Sequence, residues 1–210
     1  MTLPGPGPRG IPGSQREAGK GHARLFFALW PDDATRAALG ALGCVVQAEC
    51  GGRVTPADNI HLTLVFLGDV PTARVADLCR VADGMTAPCF GLDVGAVHYW
   101  RHNRIVWTGP AQCPDALHSL VAGLESVLAS RGFDSDRRAY TPHITLLRNA
   151  RRAPATRTMP AIRWSVAGFV LAQSLRRERA VVYDVLRHWP PGAGTRSAGR
   201  VAQHTQDEYH

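Results

Sequence analysis

Apolar residues in the middle of the chain fall into short runs separated by polar residues, glycines and prolines. Runs of this length rich in leucine, β-branched and aromatic side chains are typical of strands. They predict seven strands, at residues 24–30, 60–67, 90–99, 104–108, 143–147, 162–172 and 180–187. Pro31 ends the first run because proline has no N–H for a strand ladder. We expect Gly68 to end the second.

Apolar residues at helical spacing predict three helices between these runs, at residues 33–49, 71–83 and 115–131. The third pattern is the clearest, because its leucines and valines form one stripe and Gly132 follows as a C-terminal stop. Asp32 or Asp33 stands where a side chain caps the first helix.

Strands and helices are intermixed, and hairpin-like pairs of strands recur. Such a pattern favours an α+β fold with mostly antiparallel sheets over a doubly wound parallel sheet. A strand–helix–strand unit ends in IHLTLVFLG, and a later helix–strand unit carries PHITLLR. The second half of the chain therefore resembles a diverged copy of the first.

The two ends of the chain differ from its middle in composition. Residues 1–22 are rich in glycine and proline, and residues 190–210 are polar and lack hydrophobic periodicity. Such segments bury too little apolar surface to offset the entropy of ordering. We expect both ends to be disordered and residues 23–189 to form a single domain.

Charge and cysteine usage narrow the classes of partner and site. The formal net charge is +7, which suits an anionic partner. All lysine and arginine positions except Lys20 are arginine, a bias that is explained by a GC-rich genome or, alternatively, by the bidentate contacts of guanidinium groups with phosphate. The five cysteines form no CxxC pair, so we expect neither a metal site nor a disulfide framework. No apolar run is long enough for a membrane span, and the N-terminus lacks a secretory signal. We therefore expect a cytoplasmic, monomeric protein.

The pattern His-x-Thr-Leu occurs twice, at His61–Leu64 and at His143–Leu146. Random placement of this composition gives roughly 0.05 copies, so two copies are far more than chance provides. In a strand, residues i and i+2 point to the same face. Each predicted strand therefore presents one imidazole and one hydroxyl, with the leucines directed into a core.

Two facing imidazoles suit displacement at phosphorus. Because imidazole titrates near pH ~6.5, one ring can accept a proton from water while the other donates a proton to the departing oxygen. The hydroxyls of Thr63 and Thr145 can donate hydrogen bonds to the non-bridging phosphate oxygens. This scheme requires no metal and no cofactor, and neither strand supplies a carboxylate near its histidine.

At this point the sequence resembles a known family, the two-histidine (2H) phosphoesterases. It is most similar to the bacterial RNA 2',3'-cyclic phosphodiesterases, also called 2'-5' RNA ligases. The matching segments are RLFFALWPDDATRAAL, HLTLVFLGDV, YTPHITLLR and VVYDVLRHWP. The resemblance spans residues 24–190, which is nearly all of the expected domain.

This resemblance implies a bilobal α+β fold with two pseudo-symmetric, mostly antiparallel sheets, flanking helices and a V-shaped central cleft. It implies that His61 donates a proton, that His143 accepts one, and that Thr63 and Thr145 contact the phosphate. The implied reaction opens an RNA terminal 2',3'-cyclic phosphate to a 2'-phosphomonoester, with 2'-5' ligation as its reverse.

The family also carries an arginine five residues after the second histidine, which matches Arg148 as a substrate-binding residue. Strict alternation along the strand places Arg148 on the face opposite His143. Arg148 can reach the cleft only if the strand ends or bulges near Leu147.

Two other functions remain open from the sequence. The same site suits a hydrolase of small cyclic nucleotides or of an ADP-ribose cyclic phosphate. A non-catalytic RNA- or nucleotide-binding module is the third possibility, although a pure binder has no need of two titrating imidazoles. Turnover of RNA ends compared with mononucleotides separates these alternatives.

Overall fold

The computed structural model of the chain describes residues 21–135, 139–155, 159–177 and 180–191. The segments predicted to be disordered, 1–22 and 190–210, lie outside these ranges except for the two innermost residues of each. One of those residues, His22, is the first residue of a strand.

The described residues form strands and helices in the order expected of an α+β chain. The strands are β1 (His22–Leu29), β2 (Arg53–Val54), β3 (Leu62–Pro71), β4 (Cys89–Trp100), β5 (Ile105–Pro110), β6 (Ile144–Arg148), β7 (Ile162–Ala167), β8 (Phe169–Arg177) and β9 (Ala180–Trp189). The helices are α1 (Asp33–Cys50), α2 (Val75–Asp83) and α3 (Asp115–Ala129), with 3₁₀ turns at Ala57–Asn59 and Thr72–Arg74.

The strands form two sheets in which all neighbours are antiparallel. The first sheet has the order β3-β1-β8-β9, and the second has the order β2-β6-β5-β4-β7. In each sheet, two neighbouring strands are joined by a helix, as β1-α1-β3 and as β5-α3-β6. The predicted α+β class with two pseudo-symmetric sheets is therefore confirmed.

Each of these two helices packs on the sheet that does not contain the two strands it joins. Helix α1 packs on the second sheet, where Leu42 and Val46 contact a cluster that contains Val106 and Leu147. Helix α3 packs beside α2 against β3 of the first sheet. The lobes are therefore not the two sequence halves, because each sheet contains strands from both halves of the chain.

One predicted strand proves to be two. The run at 162–172 breaks at Gly168, so that β7 pairs with β4 in the second sheet and β8 pairs with β1 in the first. Gly168 has φ +99°, and a Cβ at this position would collide with the carbonyl oxygen of Trp189. Only glycine allows the chain to turn here from one sheet into the other.

Two predicted boundaries also shift around Gly68. This glycine does not end its strand, because β3 continues through it to Pro71 with φ +69° at Gly68. As Pro71 still belongs to β3, the helix predicted from 71 begins as a 3₁₀ turn and becomes α-helical only at Val75. Helix α1 follows its prediction, since Asp32 accepts a hydrogen bond from the Thr35 N–H at 2.7 Å.

No helix within the described part of the chain is both long and apolar enough to span a membrane.

Candidate active site

The two His-x-Thr motifs lie at the starts of β3 and β6, with each histidine one residue before its strand. The Nδ1 atom of His61 lies 2.7 Å from the carbonyl oxygen of Asn59, and that of His143 lies 2.9 Å from the carbonyl oxygen of Thr141. A carbonyl only accepts, so Nδ1–H is the donor in both rings. Nε2 is then the atom of each ring that can take up or release a proton.

Both motifs line one cleft of about 790 Å³ between the sheets. The cleft brings together all five residues predicted from the sequence, namely His61, Thr63, His143, Thr145 and Arg148. Its other walls come from β1, β8, β9 and the short strand β2. The structure therefore places side chains from distant parts of the sequence around a single space.

A β-bulge brings Arg148 to this cleft. Trp107 pairs with Thr145 and Val106 pairs with Leu147, so Leu146 is the extra residue in β6. Leu146 and Leu147 are both buried, and the alternation resumes one residue later. Strict alternation, which places Arg148 on the face opposite the histidine, is therefore wrong at this position.

An equivalent bulge occurs in β3. Ala28 pairs with Thr63 and Phe27 pairs with Val65, which leaves Leu64 as the extra residue. Phe66 then faces the cleft at the position that Arg148 occupies in β6. Sequence reasoning missed Phe66, although the two consecutive apolar residues after each His-x-Thr motif are a signal that alternation is broken.

His61 lies among aromatic side chains. Its ring stacks on Trp30 with centroids 5.6 Å apart, and it contacts Phe26 and Tyr183, each at 4.9 Å. Its Nε2 lies 3.1 Å from Oγ1 of Thr63. Burial lowers the pKa of His61 to about 4, the hydrogen bond with Asn59 opposes this shift, and the positive charges of His143 and Arg148 add to it. The ring is therefore neutral at pH 7.

His143 has different neighbours. Its ring makes T-shaped contacts with Trp100 and Trp107, with centroids 4.7 Å and 6.1 Å apart. Trp107 in turn stacks on His98 at 4.3 Å. The second histidine is thus held at the ends of the β4–β5 pair, whereas the first is packed on the face of the first sheet.

Asn59 is a further residue that the sequence did not reveal as part of this site. Its side-chain amide donates to the Val181 carbonyl at 2.7 Å and accepts from the Tyr183 N–H at 3.3 Å. Asn59 therefore ties β9 to the turn that carries His61, while its own carbonyl binds the imidazole. An asparagine in a turn has no feature in the sequence that distinguishes this role.

Positive charge dominates the cleft. Among the described residues, its lining includes Arg24, Arg53, Arg148 and Arg176 but no aspartate or glutamate. Arg53 lies opposite Arg148 in the register of β2 and β6. Over the described ranges, no group of three or more histidine, cysteine, aspartate or glutamate side chains is arranged to hold a metal ion. The donors that line the cleft are those that suit an anion.

The sequence of the chain matches a known protein family. The family model described as the 2'-5' RNA ligase superfamily matches residues 31–178. The chain belongs to this superfamily. The family resemblance predicted from the two motifs is thereby confirmed.

Curated members of the 2'-5' RNA ligase superfamily are similar to the chain over most of its length. A protein of Escherichia coli strain K12 named RNA 2',3'-cyclic phosphodiesterase is 37% identical over 168 residues, which are 79% of this chain and 95% of that protein. A protein of the same name from Thermus thermophilus is 32% identical and covers 78% of this chain and 87% of its own length.

Solved structures of superfamily members share the fold. Escherichia coli LigT complexed with 3'-AMP matches with a TM-score of 0.74 and 32% identity, over 81% of this chain and 98% of that one. The protein TT0787 of Thermus thermophilus matches with a TM-score of 0.66 and 26% identity, over 80% and 97% of the two chains. These matches agree with the two-sheet architecture described above.

Proposed function

We propose that this chain is an RNA 2',3'-cyclic phosphodiesterase that opens terminal cyclic phosphates to 2'-phosphomonoesters by two-histidine acid–base catalysis. The names of its superfamily relatives support the activity. The observation that carries the mechanism is the pair of imidazoles, each fixed at Nδ1 by a carbonyl and both lining one cationic cleft.

The proposed step is an in-line displacement at phosphorus. Nε2 of His143 accepts a proton from water, whose oxygen forms the new bond to phosphorus. The bond from phosphorus to the 3'-oxygen breaks, and the imidazolium of His61 donates its Nε2 proton to that oxygen. The products are a 3'-hydroxyl and a 2'-phosphomonoester, with one proton taken up and one released by the histidine pair. The same step with a ribose 5'-hydroxyl in place of water gives 2'-5' ligation: His143 takes the proton of that hydroxyl, its oxygen forms the new bond to phosphorus, and the 3'-oxygen leaves with the proton from His61. Ligation is therefore proposed as an alternative to hydrolysis in the same direction, and not as its reverse.

Thr63, Thr145 and Arg148 are the proposed ligands of the non-bridging oxygens. The bulge in β6 puts the Arg148 guanidinium on the face of Thr145, so a hydroxyl and a charged fork approach from one strand. Donors already in place where negative charge accumulates stabilise the transition state without reorganisation. These residues need no metal ion for this purpose.

The acid role of His61 depends on the substrate itself. Burial lowers its pKa to about 4, and the positive charges of His143 and Arg148 contribute to that low value. An anionic phosphodiester between the two rings replaces this repulsion by attraction and favours the imidazolium. The stacked Trp30 ring also favours a cation at this position. Substrate binding is therefore expected to protonate His61.

The test is incubation of an oligoribonucleotide that ends in a 2',3'-cyclic phosphate, with a chelator present, followed by identification of the product. We expect a 2'-phosphate, and loss of turnover in both His61→Asn and His143→Asn while circular dichroism stays native. A 3'-phosphate product, or full activity in either variant, contradicts the mechanism. Turnover confined to small cyclic nucleotides favours the small-molecule hydrolase, and binding without any turnover favours a binding module.

We further propose that the protein is a monomer in the cytoplasm and that residues 23–189 form the single domain that carries the activity. Sedimentation of the purified chain tests the first point, and cell fractionation tests the second. Limited proteolysis that leaves a stable, active fragment near these boundaries would support the third.

A further inference from the structure

The cleft extends beyond the two histidines along the face of the first sheet. Phe26 of β1 touches the His61 ring, and Arg24 is the next residue of β1 on that face. Two residues along a strand correspond to about 7 Å. Arg24 is therefore one row of side chains away from the proposed reaction centre, a separation comparable to one nucleotide unit.

This outer row runs across three strands. Arg24 of β1 pairs in register with Ser174 of β8, which pairs with Tyr183 of β9. Arg176 lies two residues beyond Ser174 on the same side of β8, and all four side chains line the cleft. The hydroxyl of Ser174 and the guanidinium groups of Arg24 and Arg176 are thus presented along one edge of the cleft.

Phe66 orients Arg24 within this row. The guanidinium carbon of Arg24 lies 4.8 Å from the centre of the Phe66 ring. Stacking on an aromatic face uses the plane of the guanidinium and leaves the N–H groups at its edge available to an anion. The bulge in β3 brings Phe66 to this position, just as the bulge in β6 brings Arg148 to the cleft.

The two arginines of this row have no acidic partner within the described part of the chain. Neither Arg24 nor Arg176 forms an ion pair with a described residue, and Asp69, the register partner of Arg24, is not bound to it. Arginines outside the cleft include paired ones, as in Arg163–Asp93 and Arg187–Asp83. An arginine without an acidic partner beside a cationic cleft is suited to bind phosphate.

We propose that Arg24, Phe66, Ser174 and Arg176 form a second subsite that binds the phosphodiester preceding the terminal cyclic phosphate of an RNA. This inference rests on the proposed function, because it assigns an oligonucleotide rather than a mononucleotide to the same cleft. A nucleoside 2',3'-cyclic phosphate has no preceding phosphodiester and leaves the subsite empty.

The experiment compares kcat/KM for an oligoribonucleotide with a 2',3'-cyclic phosphate end and for a nucleoside 2',3'-cyclic phosphate. We expect the wild type to prefer the oligonucleotide. Arg24→Gln is expected to lower kcat/KM on the oligonucleotide about tenfold more than on the mononucleotide, because one charged hydrogen bond is lost. The loss should lie in KM, and the salt dependence of oligonucleotide binding should fall by about 0.7 in log–log slope.

Two further variants make the result specific. Ser174→Asp places a carboxylate beside Arg24, where it pairs with the guanidinium and repels phosphate, and we expect it to reproduce the selective loss. Arg163→Gln removes an exposed arginine on β7 outside the cleft, and we expect it to affect both substrates equally and by less than twofold. Binding of an RNA with a plain 3'-phosphate, measured by fluorescence anisotropy, gives a readout that does not depend on turnover.

The outcomes separate this inference from the proposed function. Equal losses on both substrates in Arg24→Gln and Ser174→Asp, or no loss in either, overturn the second subsite while cyclic-phosphate opening stands. Absence of turnover by the wild type on both substrates overturns the proposed function. In that case, anisotropy that is unchanged by Arg24→Gln and Ser174→Asp overturns the subsite as well.

Discussion

His61 and His143 are held by the same local arrangement. In each, Nδ1–H donates to the carbonyl two residues earlier, a threonine stands two residues later, and a β-bulge follows that threonine. Their surroundings differ. His61 packs against Trp30, Phe26 and Tyr183, whereas His143 makes T-shaped contacts with two tryptophans on the β4–β5 pair. The position after the bulge carries Phe66 in one lobe and Arg148 in the other.

This comparison separates what the repeated backbone does from what the side chains do. The backbone orients two imidazoles toward one cleft and fixes the tautomer of each ring. Burial then lowers the pKa of His61 to about 4, and Arg148 gives the second lobe its charged donor. The symmetric frame is thus compatible with the asymmetric reaction proposed above, in which one ring accepts a proton and the other donates one.

The largest expected effect tests this division of roles. His61→Asn and His143→Asn should each reduce cyclic-phosphate opening by about 10³-fold, as is typical of a lost acid or base. A substrate with sulfur in place of the bridging 3'-oxygen distinguishes them, because a thiolate departs without a proton. We expect this substrate to restore activity to His61→Asn and not to His143→Asn. Restoration of the opposite variant would reverse the roles.

The next largest effect concerns the residues after the bulges. Arg148→Ala should lower kcat on a nucleoside 2',3'-cyclic phosphate by about 10²-fold, because a charged donor to the phosphate is lost. Arg148→Lys should recover part of this loss, since it keeps the charge but not the planar fork. Phe66→Leu should cost less than tenfold on this substrate. A larger loss in Phe66→Leu than in Arg148→Ala would remove the proposed difference between the lobes.

A stability measurement tests the surroundings of His61 without substrate. Its pKa is about 4 in the folded protein and 6.5 in the unfolded chain. Between these values the unfolded chain binds a proton that the folded protein does not. The free energy of unfolding should therefore fall by about 2–3 kcal/mol as the pH falls from 7 to 4.5. His61→Asn should remove this part of the slope, measured by urea denaturation.

The control for this measurement is His118→Asn on the exposed face of α3, which should leave the slope as in the wild type. An identical slope in wild type and His61→Asn would show that burial does not disfavour the His61 imidazolium.

The smallest effect compares the two residues whose carbonyls bind the histidines. Asn59→Ala removes both side-chain hydrogen bonds to β9 and should lower the free energy of unfolding by about 1–2 kcal/mol. Thr141→Ala, at the equivalent exposed position, should change it by less than about 0.5 kcal/mol. Equal effects of the two substitutions, measured by urea denaturation, would mean that Asn59 does not brace the first lobe.

The spacing of residues along the chain and the family resemblance were enough to predict which five side chains come together at the cleft. The i, i+2 spacing of each His-x-Thr motif places both side chains on one face of a strand, and its repetition indicated a shared cleft. The family follows from the two motifs and the segments around them, and the α+β class and most strands follow from the short apolar runs. The roles of the five predicted site residues remain predictions that the variants above test.

The remaining features depend on how strands pair, which local pattern does not specify. The bulges at Leu64 and Leu146 arise from register with β1 and β5. The break at Gly168 occurs because one apolar run supplies a strand to each of the two sheets. Asn59 acquires its role only when β9, more than a hundred residues later, packs beside it. The break and the role of Asn59 are long-range effects that periodicity along the chain cannot report, whereas the bulges have a local signal in the two consecutive apolar residues after each motif.

The packing of α1 and α3, each on the sheet opposite the strands it joins, also bears on how the protein folds. If the chain is cut between α2 and β4, the first fragment keeps α1 but loses most of the sheet on which it packs. The second fragment keeps α3 without β1 and β3. Neither fragment is expected to fold alone, whereas a mixture should reassemble by complementation. Unfolding of the intact protein should accordingly be one cooperative transition, with the two lobes melting together.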